Sequence, residues 1–144
     1  MIHFVDSSAL VKLYADEEGH QLVRRLAVMV VSHLTRVEVP AALWRKQRIG
    51  ELSPADVQVL RAEFEADWFG SPDDDRRFVA VAATSGVLDD ASRLTGIHGL
   101  RAYDAIQLAS ARAARAADPA CGAVAAFDDH LRAAAAAEGF ALVP

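Results

Sequence analysis

The sequence is poor in cysteine, in lysine and in long apolar runs. Cys121 is its only cysteine, so no intrachain disulfide can form and a reducing cytoplasm is the expected location. Hydrophobic residues make up 53% of the chain, but 30 of them are alanine, which favours helices. The apolar stretch from Leu26 to Val31 is far shorter than the roughly 20 residues of a membrane helix. The N-terminal MIHFVDSS has no basic residue before its apolar run, so neither a secretion signal nor a membrane segment is expected.

Positive charge is also scarce, because 15 basic residues face 20 acidic ones and the net charge is −5. This balance disfavours a protein that binds nucleic acid through a broad basic surface. The negative net charge is still compatible with a local rim of basic residues around an acidic site. The alternative for each of these basic residues is that it lies on a solvated helix face. The candidate rim residues are Arg24, Arg25, Arg36, Arg45, Lys46, Arg48, Arg76, Arg77 and Arg101.

Short β-rich runs alternate with helical patterns along the whole chain. Strands are predicted at Ile2–Val5, Val28–Ser32, Phe78–Ala82, Ala123–Phe127 and Phe140–Val143. Helix starts are predicted after Ser53 and at the capping-box pattern from Thr35 to Glu38. This alternation is typical of a three-layer α/β/α sandwich with a mainly parallel central sheet of four to five strands. No linker or internal repeat divides the chain, so residues 1–144 are expected to form a single domain.

Four acidic residues lie where this arrangement brings strand ends and helix starts to one edge of the sheet. They are Asp6, Glu38, Asp104 and Asp128. Taken singly, each fits an ordinary helix cap or first-turn acid. Taken together they form a carboxylate cluster, because the carboxyl ends of parallel strands share an edge. Such a cluster repels itself unless a cation offsets its charge, and its oxygen donors favour Mg²⁺ or Mn²⁺ over Zn²⁺.

Two hydroxyl side chains directly follow the first of these acids. Ser7 and Ser8 are candidates to orient the Asp6 carboxylate, a metal-associated water or a phosphate. The five histidines are scattered, and none has a serine or cysteine partner at a recognisable spacing. A covalent nucleophile or a catalytic histidine pair is therefore disfavoured.

The chain resembles the PIN-domain ribonucleases, and specifically the VapC toxins of bacterial toxin–antitoxin pairs. Five segments carry the likeness in the family's order, namely VDSSALVKLY, SHLTRVE, ALWRKQRIGELS, GLRAYDAIQLASA and FDDHLRAAAAAEGF. The resemblance implies that Asp6, Glu38, Asp104 and Asp128 are the family's acidic quartet, supported by Ser8. Many relatives have Thr or Ser two residues before the last aspartate. This chain has Ala126 there, which makes Asp129 an alternative to Asp128.

The same resemblance implies a Mg²⁺-dependent endoribonuclease, with Mn²⁺ as a substitute ion. One or two ions held by the quartet would activate water to hydrolyse an RNA phosphodiester. A small cognate antitoxin and a homodimer are also implied. The alternative left open is a non-catalytic PIN-like module in which the acids hold a metal or a partner without turnover.

Overall fold

A five-stranded, all-parallel sheet forms the centre of the protein. The computed structural model describes all of residues 1–144. The strands are β1 (Ile2–Val5), β2 (Val28–Ser32), β3 (Phe78–Val81), β4 (Ala123–Ala125) and β5 (Ala141–Val143). Their order is β3-β2-β1-β4-β5, and every neighbouring pair is parallel. The first strand of the chain is therefore the middle of the sheet, and the predicted sheet of four to five strands is confirmed.

Helices cover both faces of this sheet. They are α1 (Ser7–Leu10), α2 (His20–Val23), α3 (Thr35–Arg48), α4 (Pro54–Phe69), α5 (Ser85–His98), α6 (Ala102–Ala117) and α7 (Asp129–Ala137), with a 3₁₀ turn over Val11–Leu13 after α1. Alternate strand residues point to opposite faces, so Phe4 packs in the core under α5 to α7 and Val5 in the core under α1 to α4. The predicted three-layer sandwich is confirmed. None of these helices has both the length and the apolar character needed to cross a bilayer.

The predicted capping box at the start of α3 is wrong. Leu34 precedes the helix in a helical conformation and makes no side-chain cap. Thr35 is completely buried, and its hydroxyl has no hydrogen-bond partner. The box at the start of α4 does form, with Ser53 and Asp56 each bonding the other's backbone N–H. The capping box therefore forms at the start of α4, where its residues are exposed. It does not form at the start of α3, where Thr35 is buried in the core.

The segment after β4 is clamped against the start of α2. That helix is a single turn, and Gly19 precedes it with φ at +85°. A Cβ atom on Gly19 would lie 2.5 Å from Cε1 of Phe127. Lys12 covers the same ring, with its Nζ 4.3 Å from the ring centroid. Phe127 is therefore fixed by two contacts next to Asp128.

Candidate active site

The carboxyl ends of β1 and β4 lie side by side, where the direction of the chain connections reverses. From β1 the chain adds β2 and β3 on one side, then crosses over to add β4 and β5 on the other. Open α/β sheets bind ligands in the crevice at such a switch point. Asp6 directly follows β1, and its backbone N–H donates to the carbonyl of Ala125 at 3.1 Å. The structure thus places the first acid in this crevice.

Asp6 is held by a network that also reaches the last acid. Its side chain is buried, caps α1 by accepting from the Ala9 N–H at 3.0 Å, and lies 2.8 and 3.0 Å from the Ser8 hydroxyl. The same hydroxyl accepts from the Phe127 N–H at 3.1 Å. Ser8 therefore orients the Asp6 carboxylate and ties it to the segment that carries Asp128.

Glu38 is fixed by residues of two other helices. Its Oε1 accepts from the Ser7 hydroxyl at 3.0 Å and from Gln107 Nε2 at 2.8 Å. Gln107 Nε2 also donates to the Ser7 hydroxyl at 2.9 Å. Ser7 therefore orients the Glu38 carboxylate. The sequence had predicted it as a residue that orients Asp6.

Gln107 is a site residue that the sequence did not predict. It is buried in α6, and its Oε1 has no hydrogen-bond partner. A signal was present, because Gln107 is the polar residue of an otherwise apolar run and follows Asp104 by three positions. That spacing places both residues on one face of the helix.

The acids interact through their charges. Burial, with smaller contributions from Glu38 and Asp104, raises the pKa of Asp6 to about 7. Burial also raises the pKa of Glu38, and the charge of Asp104 adds to that shift. The pKa of Asp104 is raised by burial and by the charge of Asp128. None of the four takes part in an ion pair.

The donor set fits a divalent cation. Glu38 Oε2 makes no hydrogen bond, and neither does any oxygen of the Asp104 side chain. Asp128 uses Oδ1 to cap α7 through the Leu131 N–H at 2.9 Å, which leaves its Oδ2 available. Carboxylate oxygens without basic partners suit hard ions such as Mg²⁺. No three acidic, histidine or cysteine side chains converge on one ion position, so ligation by three carboxylates requires side chains to rotate.

Asp128, and not Asp129, is the late aspartate whose charge acts on Asp104. Asp129 is exposed and lines a separate cavity with His98 and His130. Ala126 is completely buried, and the Ser8 hydroxyl accepts a hydrogen bond from the N–H of the next residue, Phe127.

Among the candidate rim residues, only Arg101 lines the cavity that contains Glu38 and Asp104. Its charge lowers the pKa of Asp104, against the larger effect of burial. Others are paired with acids elsewhere, as Arg24 with Asp16, Arg36 with Glu65, Lys46 with Glu17 and Arg77 with Asp67. Most of the predicted rim is therefore not a feature of this crevice.

Comparison with known proteins identifies the family. A family model described as PIN domain matches residues 3–137. The chain belongs to the PIN-domain family. Ribonucleases VapC45 and VapC49 of Mycobacterium tuberculosis are each 33% identical to this PIN protein over 145 aligned positions, which cover 98% of the chain and 94% of each relative. The predicted membership in the VapC group is confirmed.

Solved structures share the fold at lower identity. The toxin VapC20 of Mycobacterium tuberculosis, described as cleaving the sarcin-ricin loop, is 17% identical with a TM-score of 0.63, covering 96% of this PIN protein and 95% of that chain. The FitAcB structure from Neisseria gonorrhoeae is 18% identical with a TM-score of 0.62, covering 100% and 97%. A toxin–antitoxin complex from Klebsiella pneumoniae is 15% identical with a TM-score of 0.58, covering 88% and 86%.

Proposed function

We propose that this PIN protein is a Mg²⁺-dependent endoribonuclease that hydrolyses RNA at the cluster of Asp6, Glu38, Asp104 and Asp128. We further propose that it acts as the toxin of a toxin–antitoxin pair. The observation that carries the proposal is a set of four acids at the switch point of the sheet, none of which forms an ion pair. Burial and the charge of a neighbouring acid raise the pKa values of Asp6, Glu38 and Asp104. Membership in the VapC ribonuclease group supports the choice of RNA as substrate.

The chain's own residues position the acids and leave oxygens available. Ser8 orients Asp6, whereas Ser7 and Gln107 orient Glu38. Both serine hydroxyls donate to carboxylates, so neither is arranged to attack a phosphate. When bound, Mg²⁺, or Mn²⁺ in its place, lowers the pKa of an attacking water and offsets the charge on the scissile phosphate.

The competing function is a non-catalytic module in which the same acids hold a metal or a partner. Purified protein incubated with single-stranded RNA in EDTA, Mg²⁺, Mn²⁺ or Ca²⁺ separates the two. A nuclease cleaves in Mg²⁺ or Mn²⁺, loses activity in EDTA, and regains it when the ion is returned. Metal binding by calorimetry without cleavage in any of these ions would favour the module.

We also propose two protein partners, an antitoxin and a second copy of this chain. The Klebsiella pneumoniae neighbour is a toxin–antitoxin complex, and we propose a cognate antitoxin and a homodimer for this chain in the cytoplasm, with residues 1–144 acting as one domain. Light scattering distinguishes the 15.4 kDa chain from its dimer. Co-expression with the product of the adjacent gene tests the antitoxin, and loss of cleavage in the purified complex is the expected result.

Addition of Mg²⁺ is expected to raise the melting temperature more at pH 8.0 than at pH 5.5. The folded protein holds Asp6 at a pKa of about 7 against an ordinary value of 3.8. Between these values the folded state binds more protons than the unfolded state, so this group's contribution to stability falls as pH rises and is constant above about 7. A cation binds the ionised carboxylate, so its affinity increases over that window.

The measurement is differential scanning fluorimetry with and without Mg²⁺ at both pH values. The difference between the two curves at each pH removes the titration of groups that lie far from the ion. Asp6→Asn provides the control, because it should reduce the pH dependence of the Mg²⁺ effect. An equal Mg²⁺ effect at both pH values in the wild type would contradict the assignment of Asp6 as a ligand.

Gln107→Leu is expected to reduce RNA cleavage by about 10- to 100-fold, the usual cost of losing a group that orients a metal ligand. The variant removes the amide that donates to Glu38 while keeping similar volume in the buried site. Its stability should fall by about 1 to 2 kcal/mol, because two buried hydrogen bonds to Glu38 and Ser7 are lost, a loss partly offset by removal of the unpartnered Oε1. The checks are cleavage rate and Mg²⁺ affinity, with Gln58→Leu on the exposed face of α4 as the matched control. Unchanged Mg²⁺ affinity would show that Gln107 does not position a ligand.

A further inference from the structure

We propose that Tyr103 and Arg101 hold one unpaired nucleotide of the RNA substrate beside the carboxylates. The base would stack on the Tyr103 ring, and a phosphate next to it would bind the Arg101 guanidinium. The inference rests on the proposed ribonuclease function and names the two side chains that position its substrate.

A cavity joins these side chains to the acids. It has a volume of about 400 Å³ and is lined by Glu38, Arg101, Ala102, Tyr103 and Asp104. Four of these five residues belong to the first turn of α6 or directly precede it, so the backbone of one helix start fixes their spacing. A group bound in this cavity is therefore adjacent to two of the four acids.

The Tyr103 ring is not used to stabilise the fold. Tyr103 is 63% exposed, and its hydroxyl makes no hydrogen bond within the protein. The other tyrosine contrasts with it, because Tyr14 is buried, donates to Asp67 at 2.7 Å and packs edge-on against Phe64. A large, exposed ring at the mouth of an acidic cavity is suited to stack with a nucleobase.

Arg101 supplies the positive charge that an RNA backbone needs at this site. It is exposed and forms no ion pair, although two acids line the same cavity. Its guanidinium can donate two parallel hydrogen bonds to a phosphate. Since the chain carries a net charge of −5, a local cation favours the approach of a phosphate to the carboxylates.

The pairing of an aromatic ring with a free cation favours RNA over a second protein chain as the occupant. A base can reach Tyr103 only if it is unstacked, since bases within a duplex are covered on both faces. The preferred substrate is therefore a single strand, a loop or a bulge. A protein seated on the same cavity would instead cover the acids and block the substrate.

The experiment compares Tyr103→Leu, Tyr103→Phe, Arg101→Gln and Arg101→Lys with the wild type. Arg76→Gln is the matched charge control, because Arg76 is exposed, unpaired and precedes β3 at the opposite edge of the sheet. Steady-state cleavage of a labelled single-stranded RNA in Mg²⁺ gives kcat and KM. Fluorescence anisotropy with the same RNA in EDTA gives Kd without turnover, and light scattering gives the oligomeric state.

Tyr103→Leu should raise KM and Kd about tenfold with kcat nearly unchanged, while Tyr103→Phe stays close to the wild type. Arg101→Gln should weaken binding and reduce the slope of log Kd against log salt by about one, with partial recovery in Arg101→Lys. Arg76→Gln should change neither the Kd nor the slope of log Kd against log salt.

Three outcomes overturn the inference or separate it from the proposed function. Unchanged KM and Kd in Tyr103→Leu would refute it. A shift from dimer to monomer in Tyr103→Leu with unchanged KM would assign the ring to a protein contact. A wild type that binds RNA through Tyr103 but never cleaves it would refute the proposed nuclease and leave the nucleotide contact in place.

Discussion

Asp6→Asn should reduce RNA cleavage by more than about 100-fold while leaving the fold intact. Losing a residue that only orients a metal ligand costs about 10- to 100-fold, and losing a ligand itself should cost more. The substitution removes a charge that burial and two neighbouring acids already disfavour. In EDTA at pH 8 the melting temperature should therefore be equal to or higher than that of the wild type.

Loss of activity with retained stability separates a functional role from a structural one. Asp6 is also the N-cap of α1, and replacing a cap usually costs about 1 kcal/mol. Asparagine preserves an oxygen for the Ala9 N–H, so the cap should survive. Asp75→Asn in the exposed loop before β3 is the matched control and should cleave like the wild type. Cleavage by Asp6→Asn at the wild-type rate would refute the metal-nuclease proposal.

Gly19→Ala should lower the free energy of unfolding by about 3 kcal/mol. A side chain at φ +85° costs about 1 to 2 kcal/mol, and forcing a carbon against a packed ring costs about 1 to 3 kcal/mol more. For a chain of this length the melting temperature should fall by about 6 to 12 °C. RNA cleavage should fall as well, because the displaced Phe127 is the neighbour of Asp128.

The chain offers a close control for that experiment. Gly50 has φ at +83°, but a Cβ there would meet no atom within 4 Å. Gly50→Ala should therefore lose only the backbone part, about 1 to 2 kcal/mol, and retain full cleavage. Equal losses of stability in the two variants would show that the contact with Phe127 contributes nothing.

The strands were predictable because hydrophobic runs such as Val28–Ser32 are short, β-branched and separated by strong helix signals. Burial in two cores then fixes which side of each strand faces which helices, as for Phe4 and Val5. The bounds of β3 and β4 are shorter than predicted by one and two residues. Local patterns identify these elements, but the ends depend on which residues find a ladder partner.

The contacts of the site were harder to predict from the sequence than the fold was. Glu38 belongs to a pattern that predicts a cap, yet its partners lie 31 and 69 positions away, at Ser7 and Gln107. No rule of local spacing can reveal such pairs. The roles of Asp6 and Asp128 as helix caps were visible locally and are confirmed. Their assignment as metal ligands remains a prediction.

The central position of β1 has a consequence for how the protein is made. β1 leaves the ribosome before the other four strands of this sheet, whereas one of its two neighbours, β4, leaves after β2 and β3. A nascent chain that stops before β4 leaves β1 half paired, and it lacks both Asp128 and the Phe127 N–H that binds Ser8. Domains fold as units during synthesis, so this crevice is complete only after β4 and Asp128 have been synthesised. Chains whose translation stops before β4 therefore lack a complete acidic site.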